Sequence, residues 1–537
     1  MKQKYLFLTI GLCLMIALFG LKLAQAAPAP SAAPDAAPAQ AACESLKDLK
    51  LPDVTIRVAQ LVSRSVSTDT AGLVVYGPDW KSPPSAHGQA SVPVNFCRIA
   101  ATVPPSITFE VWMPLPEKWN GKFNGVGNGA LAGGVNYPAM VAPLTQGYAV
   151  GSTDGGHTSP AIVDGSWMMG RPELWDDFGY RAMHVMTKNA KLLITAYYGQ
   201  APKYSYYTGC SGGGQQGLAE AQRYPADYNG IAVGAPANNP TRMWPGETWP
   251  SYVTHRTAAN AIPVEKLAVL HQAAVDACDA LDGVKDGLIN NPRQCKFDPA
   301  VVQCKAGDAK DCLTAGQVDS AKLVYAGLKD PTTGEQFWPG YEAGSELDWP
   351  GHIGEPFVIP QGYFKAMVFN NPKWDWKTFN FAGVKDFQIL YDADARYAPI
   401  LDATDPDLTA FKALGGKLIL WHGWADQNIA PQNSINYYNS VVTDQGTEAA
   451  TQEFMRLFLA PGMGHCSGGL GPNTFDTLAP LAQWVEKGTA PAQIIASHLT
   501  NGVADRTRPL CVYPQVATYK GSGSSDEAAN FECAAPK

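Results

Sequence analysis

Two segments far apart in the chain carry residue types suited to nucleophilic acyl chemistry. Gly209-Cys210-Ser211-Gly212-Gly213 fits the pattern Gly-x-Ser-x-Gly, and Gly462-Met463-Gly464-His465-Cys466 offers a histidine. In a nucleophile elbow the serine sits on a strained strand-to-helix turn that exposes its hydroxyl at the top of a parallel sheet. Glycines flank it because neighbouring Cβ atoms would collide in that turn. Each segment also places a cysteine beside its reactive residue. A disulfide holds two Cα atoms roughly 5.5–6 Å apart, so a bond between Cys210 and Cys466 would bring Ser211 and His465 within hydrogen-bonding reach.

The surrounding pattern supplies the elements such a turn needs. Lys203–Thr208 is a β-prone run and Gln215–Tyr224 reads as a helix. A Gly-x-Ser-x-Gly by itself marks no more than a tight turn. In α/β-hydrolases, however, the triad follows the chain order Ser, Asp or Glu, His. Lys417–Trp421 reads as a late strand, and the segment His422-Gly423-Trp424-Ala425-Asp426 follows it. Ser211, Asp426 and His465 therefore satisfy the order, with Asp426 fixing the histidine tautomer. Singly, Asp426 could cap a turn and His465 could sit on a surface loop; it is the ordered set that argues for a triad.

These residues carry a family resemblance. The chain resembles the tannase and feruloyl esterase family of secreted serine hydrolases over nearly all of its mature length. The matching segments are Trp119-Asn120-Gly121-Lys122, Asp177-Phe178-Gly179-Tyr180-Arg181-Ala182, Tyr197-Tyr198-Gly199, Gly209-Cys210-Ser211, His422 to Asp426, Gly464-His465-Cys466 and Arg506-Thr507-Arg508-Pro509-Leu510-Cys511. The resemblance implies an α/β fold, an α/β-hydrolase core with a large inserted lid domain. It also implies the disulfides Cys43–Cys97, Cys210–Cys466, Cys278–Cys295, Cys304–Cys312 and Cys511–Cys533.

The N-terminus reads as an exported one. Lys2 and Lys4 precede the apolar run Tyr5–Gly20 and the segment Ala24-Gln25-Ala26, which together give a signal peptide over residues 1–26. Residues 27–42 form an Ala/Pro-rich spacer with nothing to bury and are expected to be disordered. Cys13 falls in the leader, so ten of the eleven cysteines remain. An even number in an exported chain suggests disulfides, and hence a secreted or periplasmic protein, although sequence alone leaves the connectivity open.

Composition shifts divide the body. Residues 43–239 carry strands such as Ser106–Met113 and Tyr148–Thr153, then a helix over Asp176–Tyr197 and the elbow. Residues 240–387 turn to short helices, tryptophans and close cysteine pairs, which suits a lid; residues 388–537 resume the core with strands at Leu418 and Phe454–Leu459. A net charge of −8 without basic stretches gives no support for nucleic-acid binding, and no membrane anchor is expected in the mature chain. The oligomeric state is not legible.

Inside the lid, Cys278-Asp279-Ala280-Leu281-Asp282-Gly283-Val284-Lys285-Asp286-Gly287-Leu288 places three carboxylates among glycines, a pattern able to wrap a hard cation. The resemblance implies a structural calcium held by Asp279, Asp282 and Asp286 with the carbonyls of Val284 and Leu288; the plain alternative is an acidic surface turn. The scattered histidines give no zinc pattern.

Two backbone N–H groups must face the developing oxyanion. The residue after the nucleophile supplies one, Gly212, and the resemblance assigns the other to Gly129 in the glycine-rich run 125–130. Asp154 and His157 are expected to brace their loop. The lid aromatics Trp338, Tyr341, Trp349, Phe364, Phe369, Trp374, Trp376 and Phe379 are expected to form mostly lid core, some of them lining a planar slot.

The resulting reading is a serine esterase for carboxylic esters of aromatic acids. Feruloyl or related hydroxycinnamoyl esters come first and galloyl esters next, the small ester standing free or attached to plant polysaccharide or polyphenol. A mono(2-hydroxyethyl) terephthalate hydrolase is the alternative within the family. Its free carboxylate calls for an arginine, yet none occurs between Arg293 and Arg396, leaving Lys365, Lys373 or Lys377 to substitute. From other classes, a binding module on a degenerate scaffold and a serine peptidase are the competing readings.

Overall fold

The computed structural model describes residues 36–62 and 91–536. The leader expected over 1–26 lies outside the described residues. Ala36–Ser45 forms a helix, so the disordered spacer expected over 27–42 is corrected from residue 36 onward. Alanine is the strongest helix former, and Cys43, bonded to Cys97, ties this helix to the sheet.

The strands β1 (Thr55–Val62), β2 (Phe96–Val103), β3 (Ile107–Pro114), β4 (Lys122–Val126), β5 (Ala149–Thr153), β6 (Tyr204–Cys210) and β7 (Gly230–Gly234) come first. In the insertion β8 (Leu328–Lys329) pairs with β9 (Gln336–Trp338), after which β10 (Lys417–Gly423) and β11 (Met455–Ala460) return to the main sheet. That sheet has nine strands in the order β1-β2-β3-β5-β4-β6-β7-β10-β11. It is antiparallel from β1 to β5 and parallel from there to β11.

Side-chain alternation sends successive residues to opposite faces. Tyr207, Leu418 and Leu420 pack into one apolar layer with Met186 and Leu193 of the helix Ala182–Tyr198. Tyr206 and Ile419 join the opposite layer, with Met140 and Leu481 from helices on that side. The helix expected over Asp176–Tyr197 becomes α-helical only at Ala182; a wider turn occupies Asp177–Arg181. There the Gly179 carbonyl accepts from Gln215 Nε2 at 2.9 Å, a contact across to the elbow helix.

The insertion builds a core of its own. Trp338, Tyr341, Trp349, Phe364, Trp374, Trp376 and Phe379 belong to one apolar cluster, with Phe369 packed against it. Phe387, Leu390 and Leu401 of the helix Val384–Leu401 join the same cluster, so lid packing continues past the boundary expected at residue 387. Downstream, β12 (Gln493–Thr500) and β13 (Val503–Cys511) form one hairpin, and β14 (Val516–Tyr519) pairs with β15 (Phe531–Ala534). Among the described residues no helix is long and apolar enough to cross a membrane.

Candidate active site

Ser211 follows β6 at the carboxyl edge of the parallel strands, where ligands bind in open α/β sheets. Its backbone stands at φ 61°, ψ −123°, a sparsely populated region for a residue with a side chain. The turn is fixed from three sides: Ser211 N–H donates to Gly234 O at 3.0 Å, and Ser211 O accepts from the N–H groups of Gln215 and Ala237. The next turn passes so close to the loop after β4 that a Cβ on Gly212 would sit 2.6 Å from Ala130 O, and one on Gly213 would sit 2.7 Å from Asn128 O. Glycine is the residue that permits this approach.

Asp426 follows β10 and His465 follows β11. His465 Nδ1 lies 2.7 Å from Asp426 Oδ2. The Asp426 carboxylate is fully buried and also accepts from His422 Nε2 at 3.1 Å and from the backbone N–H groups of Asn428 and Ile429 at 2.8 and 2.9 Å. Burial alone would raise this carboxyl, but His465 and His422 outweigh it and hold it well below the usual carboxylate range. His422 opens the segment that carries Asp426, and the sequence assigns it no role. Its other nitrogen meets Ser434 Oγ at 2.8 Å, so the ring braces the acid from behind.

Cys210 and Cys466 are bonded, with Cα atoms 6.0 Å apart. The other four implied pairs, Cys43–Cys97, Cys278–Cys295, Cys304–Cys312 and Cys511–Cys533, are formed as well. Ser211 and His465 line one cavity of about 530 Å³ together with Gly129 and Gly212. Ser211 Oγ makes no hydrogen bond among the described residues, a looseness common before substrate arrives. The N–H groups of Gly129, Ala130 and Gly212 are likewise without partners among them, as donors for an oxyanion must be.

The wall of this cavity differs from expectation. None of the eight lid aromatics named from sequence lines it; its rings are Phe178, Trp244 and Phe357. The named eight are consumed by the lid core, because a long insertion must bury its own large apolar side chains. Trp244, Met243, Pro240 and Glu247 come from the helix Pro240–Thr254, the first element of the insertion. No arginine or lysine is among the described residues of the wall. Lys365 lines a separate cavity, Lys377 pairs with Glu355 at 3.0 Å, and Lys373 is exposed.

Asp154 and His157 brace the neighbouring loop, as expected. Asp154 Oδ1 accepts from the N–H groups of Thr108 and Gly156, and burial pushes its carboxyl up to about 8. His157 stacks on Trp167 at 3.7 Å and burial pushes it down to about 4.

In the acidic lid loop, Asp279 accepts from the N–H groups of Asp286 and Gly287, Asp282 from Val284 and Asp286 from Leu288. Arg508 of β13 pairs with Asp286 at 2.5 Å. Burial, then the adjacent Asp286, push the Asp282 carboxyl up to about 6. Arg508 pairs with one of the three carboxylates, and the loop keeps oxygen donors and negative charge suited to a hard cation, although the oxygens of the three are not gathered within 4.8 Å of one another. The fold also gathers residues that the sequence scattered: His184, Glu220 and Asp227 offer atoms within 4.8 Å of one another behind the elbow helix, with His184 Nδ1 2.6 Å from Asp227 Oδ2.

A strained serine turn after β6, an acid after β10 and a histidine after β11, all at the carboxyl edge of the parallel strands, define an α/β-hydrolase. Residues 91–534 match the family described as "Tannase and feruloyl esterase", and the chain belongs to that family. Among its relatives, a probable feruloyl esterase of Arthroderma benhamiae is 33% identical over 84% of this chain and 88% of that protein. The mono(2-hydroxyethyl) terephthalate hydrolase of Piscinibacter sakaiensis is 32% identical over 93% and 92%. The crystal structure of feruloyl esterase B from Aspergillus oryzae superimposes with a TM-score of 0.82 at 29% identity, covering 92% of this chain and all of that one. The chain is a carboxylic ester hydrolase.

Proposed function

We propose that this enzyme is an exported serine esterase that cleaves esters of phenolic aromatic acids, feruloyl and related hydroxycinnamoyl esters first and galloyl esters next. The observation that carries the reading is the bonded pair Cys210–Cys466, which brackets Ser211 and His465 in the wall of one cavity that also holds Phe178, Trp244 and Phe357. In the proposed reaction His465 Nε2 takes the proton of Ser211 Oγ as that oxygen attacks the ester carbonyl. The N–H groups of Gly212 and Gly129 receive the oxyanion, and His465 returns the proton to the leaving alcohol. Water, deprotonated by the same histidine, then releases the acid from Ser211. Asp426 holds Nδ1 and stabilises the imidazolium throughout.

The lid loop is proposed to hold a structural calcium through Asp279, Asp282, Asp286 and the carbonyls of Val284 and Leu288. The ion would supply charge neutralisation to the fold and take no part in the reaction. Export is supported by the N-terminal leader pattern and by five disulfides, which persist in oxidising compartments. The test is a hydrolysis panel of methyl ferulate, methyl gallate and mono(2-hydroxyethyl) terephthalate, run beside fluorophosphonate labelling. Wild type should be labelled and active on the first two. Ser211→Ala should be unlabelled and slower by at least about a thousandfold. Labelling of Ser211→Ala to the wild-type extent would remove Ser211 from its role.

A further inference from the structure

The helix Pro240–Thr254 turns Pro240, Met243, Trp244 and Glu247 toward the cavity beside Ser211. Positions i, i+3, i+4 and i+7 share one helix face, so the fourth member points the same way as the first three. Those three are apolar, as a slot for an aromatic ring requires. The fourth is a carboxyl group that is 3% exposed. Its Oε2 has no hydrogen-bond partner among the described residues, and no cation among them pairs with it.

A buried carboxyl without partners is costly to the free enzyme. Burial, reinforced by the Asp426 carboxylate, pushes Glu247 well above the usual carboxylate range. In its protonated form, which burial favours, the group offers one O–H donor and one carbonyl acceptor. A phenol is the complementary partner, since its hydroxyl accepts one hydrogen bond and donates another. A site built to pair a substrate hydroxyl discriminates strongly against the analogue lacking it, because its own buried polar atoms are then left unpaired.

We propose that Glu247 is the polar anchor of the acyl pocket, hydrogen-bonding a ring hydroxyl of the substrate's aromatic acid. The inference rests on the reading of this cavity as the ester site. A competing arrangement lies behind the helix, where Tyr341 Oη and His352 Nδ1 are also buried without partners. Neither residue lines the cavity. An ordered water between them and Glu247 would satisfy all three, and Glu247 would then have no bearing on ring substituents.

The experiment compares kcat/KM for methyl p-coumarate and methyl cinnamate, which differ by the ring hydroxyl alone, in wild type, E247Q and E247A. Wild type should favour the hydroxylated ester by about tenfold or more, and E247A should reduce that preference to within about twofold. E247Q, which keeps one donor and one acceptor, should retain part of it. Equal losses on both esters in E247A would make the role structural and overturn the proposal. So would a wild type that shows no preference, a result that decides the matter even if E247A fails to fold. A wild type that hydrolyses both esters equally leaves the esterase reading standing, whereas one that hydrolyses no aromatic ester overturns both.

Discussion

Leu288, at the end of the acidic lid loop, packs on Gly462, three residues before His465: a Cβ on Gly462 would lie 2.8 Å from Leu288 Cδ2. Gly462 stands at φ 63°, where glycine is favoured, and its backbone begins the turn that carries the histidine. The lid loop therefore supports the loop of the proposed base directly, a contact that sequence distance conceals.

If the loop holds the proposed calcium, removing that ion should be felt at both places. Chelation, or Asp282→Asn, is expected to lower the melting temperature by about 5 °C or more, since a ligand that binds only the folded state stabilises it. It should also lower kcat below the transition, because the His465 turn loses its neighbour. Calorimetry and steady-state rates with and without added calcium measure both. Unchanged melting after chelation counts against the metal.

Cys210–Cys466 closes a loop of 256 residues. In the chain-entropy model such a bond contributes on the order of 5 kcal/mol. Replacing both cysteines by alanine should lower the melting temperature, and at a temperature where the variant is still folded it should cost at least about tenfold in kcat, because the base turn is no longer fixed to the elbow. Normal turnover in a less stable variant would reduce the bond to a structural staple.

Asp154 gives stability a defined pH dependence. Burial raises its carboxyl to about 8 in the folded protein, whereas an unfolded aspartate titrates near about 3.9. Between those values the folded state holds a proton that the unfolded chain has lost, so stability falls as pH rises through this window. Asp154→Asn keeps Oδ1 as acceptor for Thr108 and Gly156 and cannot ionise. Urea denaturation at several pH values should show the wild-type slope flattened in this variant by up to about 1.4 kcal/mol per pH unit. Identical slopes would mean that Asp154 is ionised in the fold.

Substrate preference follows from the wall. A terephthalate half-ester brings a carboxylate into a cavity with no arginine or lysine among its described residues and with the buried Asp426 carboxylate behind His465. Methyl ferulate should be preferred over mono(2-hydroxyethyl) terephthalate by at least about tenfold in kcat/KM, or about 1.4 kcal/mol. Equal or reversed preference would require a cation to reach the cavity when substrate binds.

The strand-end placement of Ser211, Asp426 and His465, the proposed triad, was legible because each carries its own local signature: glycines around a strained turn, an acid after an apolar strand, a histidine beside a cysteine. Strand positions were legible for the same reason, with boundaries off by a residue or two at β6, β10 and β11. The aromatic wall was not. Eight lid aromatics were conspicuous by type, yet they fill the lid core, while Trp244, Phe357 and Phe178 reach the cavity. Composition reports that large apolar groups must be buried but not against what.

By itself, then, the sequence determined what depends on neighbours in the chain: the elbow, the order of the acid and base, the strand alternation that fills both faces of the sheet. Only the tertiary structure decided what depends on residues far apart. It brought His465 onto Asp426, Arg508 onto Asp286, Leu288 onto Gly462 and Glu247 into the cavity wall. Such contacts are set by how whole elements pack, and packing answers to shape and burial summed over many residues, which no local pattern encodes.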